Sequence, residues 1–208
     1  WGLLAFPGGH SHERHESTPA ESVHLQLAAP HSPLLLDPQT RSFYESRGWT
    51  LARWLEAGVE LDNAVIGGAD DDAASVTFGM HLCRGNQDSR WLVEGAYDEV
   101  AQLIFERTHV QRLLLEYDDA RSGGFEALRQ VPDDKIVVLG LVTTKTGRLE
   151  PARELIERVR EASRVFSLKQ LAISPQCGFA SSVVGNRLTA QDQRRKLCLV
   201  ADTATAVW

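Results

Sequence analysis

Five short apolar runs, each followed by turn residues and then by a longer stretch of helical period, constrain this chain more than any other feature. The runs are "VHLQLAA" (23–29), "VTFGMHLC" (76–83), "RLLLEYD" (112–118), "KIVVLGLV" (135–142) and "LAISPQC" (171–177). Rich in Val, Ile and Leu, they read as strands buried on both faces of a parallel sheet. Between them, apolar residues recur every three or four positions. The clearest such segment is "EPARELIERVREASRVF", where Leu155, Ile156, Val159, Ala162, Ser163 and Phe166 fall near one face while Glu and Arg line the other. Further helices are expected in "LARWLEAGVELDNAVI", in "EGAYDEVAQLIFER" and in the closing "TAQDQRRKLCLVADTATAVW", which Thr189 opens as an N-cap.

Such βαβα alternation gives parallel strands with right-handed crossovers, either in a doubly wound open sheet or in a (β/α) barrel. A closed barrel needs eight strands and typically about 250 residues. Five strands in 208 residues therefore mean an open sheet or part of a barrel. The length suits one domain, expected over 23–208, after an irregular segment over 1–22. That segment contains His10, His12 and His15, which read as a solvated tail rather than a metal site.

The net charge of −6, with no cluster of Lys and Arg, argues against a nucleic-acid partner. No run approaches the roughly 18 to 20 apolar residues of a membrane span, and "WGLLAFPGG" lacks the basic start of a secretion signal. The expectation is a cytoplasmic protein. Three cysteines, Cys83, Cys177 and Cys198, are too few and too odd for a disulfide framework, so the thiols should be free or metal-bound.

Chemistry in such folds collects at the carboxyl ends of the strands. His81 and Cys83 close the second run, Glu116 the third and Cys177 the fifth. One imidazole, two thiols and one carboxylate are the usual ligand types of zinc, and residues two apart on a strand share a face. The H-x-C spacing alone is weak, since free cysteine is among the most buried residue types. What adds weight is a glutamate and a second cysteine at two further strand ends. For Glu116 the alternative is an ion pair with Arg121 or Arg84, and for Cys198 it is a core thiol on a stripe with Leu197 and Val200. Asp118, Asp119 and Arg121 could orient a ligating group, or simply form a turn with a surface ion pair. Glycines in "CRGN", "RSGGF", "CGFASS" and "VVGN" follow strands, where the backbone must turn sharply or approach a ligand.

"TFGMHLCRGNQ", "LLLEYDDARSGGFEALRQVP", "KIVVLGLVTTK" and "LAISPQCGFASSVVGN" resemble, in order and spacing, the C-terminal catalytic region of the cobalamin-independent methionine synthase family. The likeness runs from about Gln26 to Trp208 and is strongest from Val76 to Asn186. The resemblance implies a (β/α)8 TIM barrel, here incomplete with about five βα units. It implies Zn2+ held by His81, Cys83, Glu116 and Cys177. It also implies a 5-methyltetrahydropteroyltriglutamate–homocysteine S-methyltransferase, which moves a methyl group from 5-methyltetrahydrofolate to the thiol of homocysteine and forms methionine. The substrate thiolate would be the nucleophile, so no catalytic residue of the chain's own is required.

Two departures stand out. Family members carry an acidic residue in a Q-x-D-x-P strand, expected to hold the amino group of homocysteine, and Ala28 occupies that place in "LQLAAP". The strands that precede it in the family are replaced by "WGLLAFPGGHSHERHESTPAES", so the chain reads as truncated at its N-terminus, with exposed sheet edges that association could cover. Two other functions compete: a relative using a methylated corrinoid with the same zinc-thiolate chemistry, and a zinc-binding remnant without turnover.

Overall fold

The computed structural model describes residues 23–29, 31–68 and 76–208; the expected irregular segment 1–22, with His10, His12 and His15, lies outside the described residues. All five expected strands form: β1 (Val23–Ala28), β2 (Val76–Leu82), β3 (Arg112–Glu116), β4 (Ile136–Val142) and β5 (Leu171–Pro175). Their ends are trimmed relative to the apolar runs. Ala29, Cys83, Tyr117, Asp118, Gln176 and Cys177 sit where the backbone has already left the ladder for the loops at its carboxyl edge.

Every pairing is parallel and the spatial order follows the chain, β1-β2-β3-β4-β5. A doubly wound sheet reverses direction from a central strand. No reversal occurs here, so that alternative is set aside in favour of an arc of a (β/α) barrel. The crossovers between successive strands carry the helices to the outer side of the arc.

The two sides of the sheet separate cleanly by strand parity. Phe78, Met80, Leu82, Leu113, Leu115, Val137, Leu139, Leu171 and Ile173 pack outward against Val59, Ile104, Phe105, Val159 and Val200 of the helices. Each such apolar side chain stabilises the fold by roughly 1.5–3 kcal/mol relative to exposure. The inner face holds a small cluster of Leu114, Val138 and Ala172 with Ile136 at its edge. Gly140 on β4 is forced by this curvature, because a Cβ there would meet the Leu115 carbonyl oxygen and the Gln176 Cα at 2.9 Å.

Among the described residues six α-helices accompany the strands: α1 (His31–Leu34), α2 (Pro38–Glu45), α3 (Leu51–Gly67), α4 (Asp98–Arg107), α5 (Ala152–Ala162) and α6 (Ala190–Val207). The first two were not evident from periodicity. Asp37 starts α2, its carboxylate accepting from the Thr40 N–H at 2.7 Å. The helix expected from residue 94 begins only at Asp98, because Gly95 takes a φ of 147° and its N–H is committed to the Arg121 carbonyl. Thr189 caps α6 as expected, in a capping box with Asp192.

One expectation fails on α6. Cys198 is exposed rather than part of the core. The buried stripe runs through Lys196, Val200, Thr203 and Ala204, and Cys198 lies two residues from Lys196, on the opposite side of the helix. Lys196 is wholly buried because its ammonium is 3.1 Å from the Glu150 carboxylate and donates to the Arg148 carbonyl at 2.6 Å. A lysine in an apolar stripe is invisible to a pattern search that scores charge as outward-facing.

Candidate metal centre

Alternation along β2 sends Phe78, Met80 and Leu82 outward, so Gly79 and His81 face inward, with Cys83 following on the same side. On β3 the inward residues are Leu114 and Glu116. The ladder pairs His81 with Leu114, which brings Cys83 level with Glu116 one step further along. Cys177 reaches the same place from the loop after β5. The structure thus brings all four expected ligands together: one donor atom from each of His81, Cys83, Glu116 and Cys177 lies within 4.8 Å of the other three.

The donor set and its spacing fit zinc. Ligand atoms about 2.0–2.3 Å from a tetrahedral zinc lie about 3.3–3.8 Å from one another. The Cys83 and Cys177 sulfurs are 3.8 Å apart, and His81 Nε2 is 3.6 Å from Glu116 Oε1. His81 Nδ1–H donates to the Leu114 carbonyl at 3.3 Å, which leaves the Nε2 lone pair facing the cluster. That nitrogen is buried and, among the described residues, meets no hydrogen-bond partner at close range. An orphaned buried imidazole nitrogen beside two sulfurs is what a metal ligand looks like.

Charge at the centre is negative and tightly shared. The Cys83 and Cys177 sulfurs share a hydrogen bond, and this contact, acting against burial and aided by His81, holds the Cys177 thiol well below its usual range. The same bond, reinforced by burial, pushes the Cys83 thiol up. Burial raises the Glu116 carboxyl above the usual range, opposed by His81 and Lys145. For His81, burial works against the imidazolium, yet the neighbouring Cys177 and Glu116 outweigh it and the net shift is upward. Two sulfurs and a carboxylate held at this separation favour a cation between them.

Glu116 is fully buried and is gripped on both oxygens. Oε1 accepts from the Arg84 backbone N–H at 3.1 Å, and Oε2 is 3.4 Å from Arg121 Nη2. Both arginines considered as alternatives to ligation therefore touch it, and neither contact exhausts the lone pairs of a carboxylate. Arg121 also binds Asp118 at 2.7 Å and pairs with Asp119. The Arg84 guanidinium lies 3.9 Å above the Tyr97 ring, whose hydroxyl accepts the Glu116 N–H at 2.9 Å. Gly85 makes the turn after Cys83 at a φ of 93°, with Leu92 packed so closely that a Cβ would meet it at 2.8 Å.

Sequence reasoning missed the polar stitching that joins the cysteine-bearing loops. Asn86 Nδ2 donates to the Gly178 carbonyl at 2.7 Å and to Thr144 Oγ1 at 2.8 Å, and Ser181 donates to the Asn86 carbonyl at 3.2 Å. Arg187 clamps Asp88 through two bonds of 2.9 and 2.7 Å. The "CRGN" and "CGFASS" turns were the available signal, but only as permissive backbone.

Beside the centre, on the inner face, lies a cavity of about 310 Å3 lined by His24, Gln26, His81, Ser174, Gln176 and Cys177 among others. This is within the size range of small-molecule sites. Ala28, where a carboxylate was expected, pairs across the ladder with His81. No helix among the described residues is long and apolar enough to cross a membrane.

Comparison with known proteins places these features in a family. The family model for the cobalamin-independent synthase catalytic domain matches residues 75–198. Two Bacillus subtilis proteins described as uncharacterized are similar to the chain. YxjG is 50% identical over 149 residues, covering 71% of this chain and 38% of the relative. YxjH is 44% identical over 172 residues, covering 80% and 46%. The chain thus spans less than half the length of these relatives. Among solved structures, a Listeria monocytogenes protein described as a candidate vitamin-B12 independent methionine synthase superposes with a TM-score of 0.63 at 29% identity, over 88% of this chain and 48% of that one. A B12-independent methionine synthase from a Shewanella species gives the same TM-score and coverage at 20% identity, a likeness of fold alone.

Proposed function

The chain belongs to the cobalamin-independent synthase catalytic-domain family, and from that premise we propose that it carries the metal-holding part of a zinc-dependent methyltransferase, which moves a methyl group from 5-methyltetrahydrofolate to the thiol of homocysteine to form methionine. The observation that carries this reading is the convergence of His81, Cys83, Glu116 and Cys177 within 4.8 Å at three strand ends, a donor set of two sulfurs, one nitrogen and one oxygen.

These four residues would hold the ion. Zinc, when bound, lowers the pKa of a ligated thiol so that the thiolate nucleophile is present near neutral pH. The surrounding residues supply position. The Leu114 carbonyl fixes the His81 ring, and Arg121 and the Arg84 N–H fix the Glu116 carboxylate. The adjoining cavity gives a thiol substrate room beside Cys177.

One residue favours a second reading, a zinc-binding form without turnover. Ala28 lies across from His81 and offers no carboxylate to an ammonium group. An assay of the zinc-loaded protein with homocysteine separates the readings. Methionine formed from 5-methyltetrahydrofolate supports the proposed reaction. Methionine formed only from methylcobamide overturns the folate donor, and bound zinc with no product from either donor favours the second reading.

A further inference from the structure

The two loops that carry the cysteines meet a second time, at their tips. The first folds back on itself where Gln87 and Arg90 exchange backbone hydrogen bonds of 3.2 and 3.0 Å around Asp88 and Ser89. The second has no regular structure between the end of β5 at Pro175 and the start of α6 at Ala190. Hydrogen bonds from both sides join them. The Asp88 N–H donates to the Gly185 carbonyl at 2.9 Å, the Ser89 N–H to Asn186 Oδ1 at 3.0 Å and the Arg187 N–H to Ser89 Oγ at 2.9 Å. Arg187 Nε and Nη2 grip the two oxygens of the Asp88 carboxylate at 2.9 and 2.7 Å.

Among the described residues, Asp88 and Ser89 alone, apart from glycines, take positive φ, 51° and 60°. A two-residue hairpin turn with both angles positive is ordinarily filled by Asn-Gly, because a side chain at these angles is strained and glycine is not. Such strain persists only where the surroundings over-determine it. Here the opposite loop supplies the reason. A glycine at 89 has no Oγ to accept the Arg187 N–H, and an asparagine at 88 offers no charge to the guanidinium. The bonds from Arg187 hold the Asp88 carboxyl below the usual carboxylate range. The chain thus keeps a strained turn whose two side chains both serve the loop that carries Cys177.

Cys83 opens the first loop and Cys177 the second, with their sulfurs 3.8 Å apart. Once both are deprotonated, as a metal requires, they and the Glu116 carboxylate repel one another, so the centre spreads unless its loops are tied. We propose that Asp88 and Arg187 form a clasp that holds the two cysteine loops closed on each other, so that Cys83 and Cys177 stand ready to share one thiophilic ion before it arrives. Both are positioning residues: they act through the loops and neither touches the ion. Holding the donors in their bound arrangement in advance removes part of the ordering cost of binding. The proposal rests on the reading of the centre as a metal site and assigns that site a support at the tips of its own loops.

The test applies two probes of the thiol pair to the full chain. Zinc is measured by competition with a chromogenic chelator. Phenylarsine oxide is titrated into the metal-free protein, where it bridges two neighbouring thiols, forming two As–S bonds with release of water, and binds a single thiol far more weakly. Asp88→Asn, Arg187→Met and the double variant are compared with the wild type. Each single substitution is expected to weaken both probes about two- to fivefold, the scale of an exposed ion pair. The double variant should lose no more than either single one, because the two residues act as one unit. Unchanged affinity for both probes in the single variants, or losses that add in the double variant, overturns the proposal. A wild type that binds neither probe shows that the thiols are not held together, and the proposal fails. A wild type that takes up no zinc, yet binds the arsenical in a way the substitutions weaken, upholds the clasp and overturns the reading of the centre as a zinc site.

Discussion

The sulfur of Cys83 lies 3.8 Å from that of Cys177, although 94 residues separate the two in the chain. Parallel strand ends bring them there: Cys83 leaves β2 and Cys177 follows β5, while Glu116 closes β3 between them. Cys198, the remaining thiol, stands exposed on α6. The three cysteines therefore differ in what protects them. Titration of the zinc-loaded native protein with a thiol reagent should count one reactive thiol, Cys198. After chelation the count should rise to three, because the two ligand cysteines are only partly buried. Three fast thiols before chelation would show that no metal covers Cys83 and Cys177.

Arg121 holds two buried carboxylates at once, Asp118 at 2.7 Å and Glu116 at 3.4 Å. Burial already lifts both carboxyls above their usual range, and Arg121 is among the charges that oppose this for Asp118. Removing the guanidinium by Arg121→Met leaves Glu116 both less well aimed and easier to protonate. Zinc affinity should fall about 10- to 100-fold, as for other residues that orient metal ligands. The sign of the pH effect follows: protons compete with metal as pH falls, so a higher Glu116 pKa moves the half-loss of zinc to higher pH. Competition with a chromogenic chelator across a pH series measures both, and an unchanged midpoint would remove Arg121 from the role.

Ala28 pairs across the β1–β2 ladder with His81, which lines the cavity. Ala28→Asp places a carboxylate where an amino group of a bound substrate could meet it. Homocysteine and 3-mercaptopropylamine should then bind about two- to fivefold more tightly, the yield of a partly exposed ion pair, while 4-mercaptobutyrate gains nothing. Calorimetric titration of the three thiols checks this. Equal gains for all three would mean that the substitution acts on the fold and not on the ammonium group.

Much of the frame was legible because strand periodicity and the βα rhythm are local properties. Each of the five apolar runs became a strand, and the H-x-C pair, Glu116 and Cys177 stood out as reactive residues at strand ends. What stayed hidden depends on contacts between distant segments. Lys196 is buried only because Glu150 and the Arg148 carbonyl meet it, 46 and 48 residues away. Cys198 was placed in the core because its neighbours Leu197 and Val200 are apolar, whereas the helix turns it to solvent. The bond from Thr144 to the Gln176 amide and that from Asn86 to Thr144 leave no trace in the sequence, since they join residues 32 and 58 positions apart. Short α1 and α2 were missed because their apolar residues are too few to set a period.

The central claim is that His81, Cys83, Glu116 and Cys177 form one zinc site. Metal content per chain, measured by mass spectrometry on protein purified with zinc present, tests it most directly across Cys83→Ser, Cys177→Ser and Cys198→Ser. The expected result is one zinc in the wild type and in Cys198→Ser, with sharp loss in each of the other two. Equal zinc content in all three variants would contradict the assignment.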